Sequence, residues 1–287
     1  MRSYLVTFGV GEKFEKGQKR LVKSALKKGG IDESIEWGHN KFIKTDFYAA
    51  NRKLFSNGYG KKCGWGWKPY IILRRLNKIN DGDFVVYHDS GFKACNHHYV
   101  FLENIQPLLR WCETYNSGII PAQYFFKSNC INRMVTKRDC FVLMNCDEPK
   151  YWDCYQVSAA WSIWQKNRLS LRIVNQWFEY CKDERINTEM PNACGLPNLE
   201  GYRDHWGDQS VMTNLILREG LKCYPLNSFY HKAVEEYHEK SNRLFGKIKS
   251  VLYSRRTNTF MLEPWRNINV FIAAARYQFD AERRKTT

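Results

Sequence analysis

The order of apolar patterns along the chain predicts an α/β protein: a mostly parallel central sheet, helices on both faces, and a helical C-terminal extension. Three observations carry this. Up to Gly91, short β-type runs alternate with amphipathic helical patterns, so the strands must be joined by crossovers and lie parallel. Glycine or Asp-Gly punctuation falls where each early helix should stop. Beyond Pro225 the composition changes, with a charged helical stretch followed by an apolar one.

Ser3–Val10 is the first β-type run. Glu12–Lys28 follows as a helix, with Leu21, Val22, Ala25 and Leu26 at helical spacing and Gly29-Gly30 as its stop. A second strand is expected near Ser34–Trp37. Pro69 suits the first turn of the next helix, in which Ile72, Leu73, Leu76 and Ile79 share one apolar face. Asp81-Gly82 then turns the chain into a buried strand, Asp83–Tyr87. Leu102–Cys112 has a helical pattern that Pro107 would kink. Ser117–Phe126 reads as an edge or bent strand, because Pro121 cannot donate to a ladder. Cys140–Met144 is a short apolar run, Tyr155–Trp164 has mixed periodicity, and Leu171–Cys181 is helical. Asn187–Gly201, scattered with Gly and Pro, is a loop, and Asp208–Glu219 is a helix stopped by Gly220. Two domains are therefore expected: residues 1–225, and a basic, mainly helical extension over 226–287. Within the latter, Tyr237–Tyr253 is helical, Asn267–Ala275 apolar and Arg276–Thr287 a polar tail.

Lys and Arg number 45 against 29 acids, a formal charge of +16, which favours phosphate-bearing partners of some kind. Hydrophobic residues make up 44% of the chain, enough for a packed core. The ten cysteines form no CxxC pair, which argues against a zinc cluster. They read as reduced core residues of a cytoplasmic protein. Tyr4–Val10 is short and contains Thr7 and Gly9, so it reads as a strand rather than a targeting segment. No run approaches the ~20 apolar residues of a membrane span.

Ligands of open parallel sheets sit beyond the carboxyl ends of the strands. His88, Asp89, Ser90 and Gly91 stand at such an end. Asp89 is suited to hold a divalent cation against a diphosphate, or simply to cap the turn. Upstream, NGYGKKCGWGWKP over 57–69 is a glycine-rich loop running into a helix start. Lys68 adds charge to backbone N–H groups that already favour an anion. Trp65 and Trp67 are either a wall for a base or sugar ring or core anchors. Downstream, RDHWGDQS over Arg203–Ser210 gathers His205, Asp208 and Gln209, groups that can orient an acceptor hydroxyl. Asp208 is there either a helix N-cap or a proton-accepting base. Glu179 is a second base candidate, or a solvated helix residue. His97-His98 is set aside as a metal pair because adjacent side chains face apart. Trp161 and Trp164 read as core.

The run GYGKKCGWGWKPYIILRRLNKINDGDFVVYHDSG resembles the central block of a group of GT-A glycosyltransferases, found in bacterial surface-polysaccharide clusters and in large DNA viruses of algae. Thr136–Phe141 (TKRDCF), Tyr155–Ala159, Trp177–Tyr180 (WFEY) and Asp208–Ser210 (DQS) resemble later blocks of the group in the same order. The likeness covers residues 2–225. It implies a GT-A (Rossmann-like) fold, a nucleotide-sugar donor, a glycan or glycoprotein acceptor, and Mn or Mg. Asp89 falls on the first carboxylate of the DXD signature, whereas Gly91 replaces the second and His88 an apolar residue. By that resemblance Asp89, through the metal, and Lys68 would neutralise the diphosphate, with His88 and Gly91 beside them. Thr7 and Val10 would hold the nucleotide, and Trp65 or Trp67 the sugar. If the reaction inverts, Asp208 would be the acceptor-side base with Glu179 second, and His205 and Gln209 would orient the acceptor. The lysine- and cysteine-rich composition fits a viral source and hence a host cytoplasm, with peripheral membrane contact through the basic extension. The rival reading is a basic nucleic-acid-binding module without catalytic activity. Against it, no helix-turn-helix, zinc or RNA-recognition signature is present, so no nucleic-acid partner is expected.

Overall fold

A computed structural model describes residues 1–91, 101, 104–115, 117–123 and 130–225. The 226–287 extension, His97-His98, the Leu102 end of one expected helix and the Phe126 end of one expected strand lie outside the described residues.

The first half runs β1 (Ser3–Phe8), α1 (Glu12–Ser24), β2 (Glu33–Trp37), α2 (His39–Phe42), α3 (Asp46–Ala50), α4 (Trp67–Leu76) and β3 (Phe84–His88). Then come α5 (Gln106–Tyr115), β4 (Ile119–Gln123), α6 (Arg138–Leu143), α7 (Pro149–Trp152) and β5 (Val157–Gln165). The series closes with α8 (Arg168–Lys182), α9 (Glu184–Asn187), α10 (Asp208–Arg218) and the two-residue β6 (Tyr224–Pro225).

The strands form one sheet in the order β2-β1-β3-β5-β4-β6. β2, β1 and β3 are mutually parallel, and β5 alone runs against its neighbours β3 and β4. The α/β architecture with a mostly parallel sheet is therefore present. Alternation sends Tyr4, Val6 and Phe8 of β1 and Val85 and Tyr87 of β3 into one core, under α4, α8 and α10. Leu5, Phe84 and Val86 enter the other, with Leu21 of α1 and Leu108 and Leu109 of α5. Helices thus cover both faces.

Three boundaries differ from the expectation, each for a local reason, and the bend expected at Pro121 is present. The first helix ends at Ser24 and continues as a single π turn, Ala25–Gly29, before Gly30 takes the left-handed conformation. The Pro69 helix starts at Trp67, with the proline still in its first turn. Pro107 opens α5 instead of kinking it, and Asn104 Oδ1 accepts from the Gln106 N–H at 2.8 Å. Pro121 sits at a register shift between β4 and β5, so the strand is bent there, and β6 covers its far end at Ala122 and Gln123.

The mixed periodicity of 155–164 also has a cause. Val157 and Ala159 belong to the first core, yet Trp161 and Ile163 belong to the second. The strand changes faces midway, at the level of the Pro121 irregularity, so no single alternation spans it. Trp161 and Trp164 are both buried, in opposite cores. The nine described cysteines are free and mostly buried. Among the described residues no helix is long and apolar enough to cross a membrane.

Candidate active site

The site follows from the alternation on β3. Tyr87 faces the core under α4 and α10, His88 faces the opposite core, and Asp89 faces the α4 side again. The ends of β1 and β3 are tied by the Ser90 hydroxyl, which donates to the Phe8 carbonyl.

Two glycines bring α4 and α10 to the same place. Gly64 and Gly207 both have positive φ, and a Cβ on Gly207 would stand 2.7 Å from the Gly64 Cα. The Asp208 N–H donates to the Gly64 carbonyl at 2.9 Å across that contact. Asn187 fills the space behind Gly64, where its Nδ2 donates to Cys63 O at 3.2 Å. Trp177 of α8 pins the other side, its indole N–H donating to Asp208 O at 2.8 Å. The first turns of α4 and α10 therefore meet at the carboxyl end of β3.

There Lys68 Nζ lies 2.9 Å from Asp208 Oδ2 and 3.6 Å from Asp89 Oδ1. Tyr87 donates its hydroxyl to the same Asp89 oxygen. The Asp208 carboxyl is 2% exposed and Lys68 6%, whereas Asp89 is 35% exposed. The cluster is thus layered, with Asp89 outermost. Burial pushes the Asp208 carboxyl up to about 7, with Lys68 opposing the shift and the Asp89 charge adding to it. Lys68 loses by desolvation but gains more from Asp208 and Asp89, so its ammonium is held above the usual lysine range.

Several expected contacts are placed elsewhere. Asp208 is the first helical residue and Gly207 the cap position, so the Asp208 side chain caps nothing. Its burial behind Lys68 is also at odds with direct proton transfer from an acceptor. Glu179 lies ~200° round α8 from Trp177, exposed and paired with Lys182 across i,i+3, so the solvated reading describes it. His205 is buried, with Nε2 on Ile186 O at 2.8 Å and Nδ1 accepting from the Lys137 N–H at 3.2 Å. Burial lowers it to about 3, and it locks a loop rather than meeting an acceptor. Gln209 spends both ends inside, accepting from Ala159 N at 3.2 Å and donating to Gln156 Oε1 at 3.2 Å. His88 is buried beside Phe101 and lowered to about 3 by burial, on the face away from Asp89. Trp67 is a core anchor, stacked on Phe8 at 4.0 Å with its N–H on Tyr59 O at 2.8 Å. Thr7 is fully buried in β1, its hydroxyl without a partner among the described residues.

Of the remaining candidates, Val10 and Trp65 are half-buried against the first core. Trp65 takes a positive φ of 53° directly after Gly64, in the loop that sets Lys68. Gly91 folds back so that its N–H donates to Asp89 O at 3.2 Å, and Gly17 of α1 packs onto its carbonyl. Tyr87 was missed by sequence reasoning. Its signal was available, since it lies two residues before Asp89 on a strand and therefore on the same face.

Among the described residues no cluster of three or more His, Cys, Asp or Glu side chains forms a metal-ligand set. Asp89 Oδ2 carries no hydrogen bond among the described residues, and one or two carboxylates suffice for a cation completed by substrate phosphates. The residues fit a site of that kind, and not one closed by protein alone.

No family model matches the sequence, and no curated protein matches it. Among solved structures, the chain is similar to the WbbM bifunctional glycosyltransferase in its apo form, with TM-score 0.42 and 10% identity. That likeness covers 79% of this chain, which spans only 39% of the length of WbbM. It is also similar to apo mouse xyloside xylosyltransferase 1, with TM-score 0.42 and 11% identity over 90% of this chain and 99% of that one.

Proposed function

We propose that the chain is a glycosyltransferase that moves a sugar from a nucleotide-sugar donor to a glycan acceptor. One observation carries the reading: Lys68 and Asp89, from the 58–91 block whose sequence resembles the GT-A group, converge with Asp208 of the DQS segment at the carboxyl ends of β1 and β3. That is where an open parallel sheet receives its ligand.

Asp89 is the member of the trio that meets the donor, because it alone of the three is open to solvent. Mn or Mg, held by Asp89 and the donor, would supply positive charge to the leaving diphosphate. Lys68 fixes the Asp89 carboxylate from behind, and Tyr87 fixes it from the side. Preorganised charge of this kind supplies the largest share of rate in most such transfers. Asp208 acts as a positioning residue: it holds the Lys68 ammonium in a site where burial would otherwise expel its charge. The loop through Val10 and the half-buried Trp65 flank the nucleotide and sugar sides.

The test is a panel of nucleotide sugars with Mn, read by donor hydrolysis and by the donor-induced melting shift. Asp89→Ala should lower turnover by about 10³-fold and abolish the shift while melting like the wild type. A folded Asp89→Ala protein that turns over normally would sink the proposal.

A further inference from the structure

A groove of about 740 Å³ runs between the terminal strand β2 and helices α2 and α4, and none of the Lys68, Asp89 or Asp208 cluster lines it. Its walls carry Lys41, Lys44, Arg74, Arg75 and Lys78 against two carboxylates, Glu33 and Glu36. The spacing explains the gathering: Ile71, Arg74 and Arg75 fall at i, i+3 and i+4, one face of α4, and Lys78 follows in the turn after it. Glu33 is already engaged by Arg75 at 3.2 Å, and the Lys41 ammonium donates to the Glu36 carbonyl at 3.0 Å. Five cations against two carboxylates leave a net excess of positive charge facing the groove.

Aromatic rings hold those cations in place. Lys41 Nζ stands 4.7 Å above the Trp37 ring, with Arg74 5.9 Å from the same ring and Arg75 4.0 Å above Tyr4. Burial lowers the Lys41 ammonium, and repulsion from Arg74, Lys78 and Arg75 lowers it further against the pull of Glu36. The Trp37 indole N–H, in the groove wall, is buried with no partner among the described residues. Five cations facing only two carboxylates, beside a spare donor, form an anion site that is incomplete by itself.

We propose that this groove binds a compact ligand bearing clustered phosphate monoesters. Its volume lies in the range of small-molecule sites. A nucleic-acid strand fits less well, because Trp37 is 5% exposed and offers no face for a base to stack on. The site is separate from the donor site and stands whether or not the transferase reading does.

The test uses the full chain and inositol hexakisphosphate as probe, titrated calorimetrically at low and moderate salt. Binding should weaken with salt, and the exposed pair Arg74→Glu with Lys78→Glu should lose at least tenfold in affinity at an unchanged melting temperature. Asp89→Ala should bind the probe as the wild type does. Unchanged affinity in the charge-reversed variant, or loss in Asp89→Ala, would overturn the assignment. So would a single-stranded oligonucleotide that displaces the probe at lower concentration. Flotation with vesicles carrying phosphoinositide in phosphatidylcholine distinguishes the sources: co-flotation lost in the charge-reversed variant points to a headgroup, and probe binding without flotation to a soluble phosphate. Both support the groove.

Discussion

Two buried lysine–aspartate pairs sit in the first core's polar margin, and they are built to opposite ends. Lys137 and Asp139 stand 3.2 Å apart, both essentially inaccessible. Asp139 also accepts the N–H groups of Ala193 and Cys194, each at 2.8 Å, and Lys137 Nζ donates to Met190 O at 2.6 Å. Burial works against the Asp139 charge, but those donors outweigh it and hold the carboxyl below the ordinary range. Lys68 and Asp208 have the shorter contact, 2.9 Å, yet Asp208 is pushed up to about 7. The difference is the supply of backbone donors and the presence of Asp89 as a second negative charge. A fully satisfied pair is a lock on the 188–206 loop, whereas an under-satisfied one beside an exposed carboxylate has charge to give to a ligand.

Breaking each pair should separate these roles. Asp139→Ala leaves the Lys137 ammonium, still on Met190 O, without a counter-charge, and leaves the Ala193 and Cys194 N–H groups without their acceptor. It should cost about 3–5 kcal/mol of stability, read from urea unfolding midpoints. Asp208→Asn should cost less, because the carboxyl it replaces, pushed up to about 7 by burial, is already partly protonated at pH 7. Its effect belongs on turnover, an expected fall of about 10- to 100-fold, the range for a partner that acts through another group. If Asp208→Asn lost as much stability as Asp139→Ala with turnover intact, both pairs would be locks. Gly207→Ala is the next smaller change: its φ of 50° and the Gly64 backbone 2.7 Å from an added Cβ should cost about 1–3 kcal/mol and loosen Lys68 from Asp208. Melting temperature and donor shift should fall together.

Much of the fold was legible because each strand before Gly91 is bounded by turn chemistry and each crossover helix has one apolar stripe. β5 was not legible as an antiparallel strand, because its side chains change faces between Ala159 and Trp161. The members of the candidate cluster, Lys68, Asp89 and Asp208, were legible from a strand-end rule and two helix starts, but the buried Lys68–Asp208 pairing was not. What the sequence hid is burial. His205, Gln209 and Trp67 have the chemistry of ligand contacts, and each spends it on Ile186, Gln156 or Tyr59 inside the protein. A polar residue at a loop exit reads the same whether its partner is a substrate or a distant carbonyl. Only the packing of α9 and α10 against the 57–66 loop decides between them.

The smallest expected effect tests the pair comparison in solution. Asp208 holds its proton in the folded state up to about pH 7, above the ordinary carboxylate range, so folding takes up a proton there and stability falls as pH rises through that interval. His88 and His205, both lowered to about 3, act in the opposite sense: unfolding binds protons below the ordinary histidine value, and stability is lost as pH falls. Between about pH 4 and 6.5 the Asp208 slope therefore offsets part of the histidine slope. Asp208→Asn removes the offset, so its stability should drop more steeply with acid than that of the wild type. Urea unfolding at half-unit pH steps reads the difference directly. Parallel curves would mean that Asp208 is ionised throughout, and would return the Lys68–Asp208 pair to the same class as Lys137–Asp139.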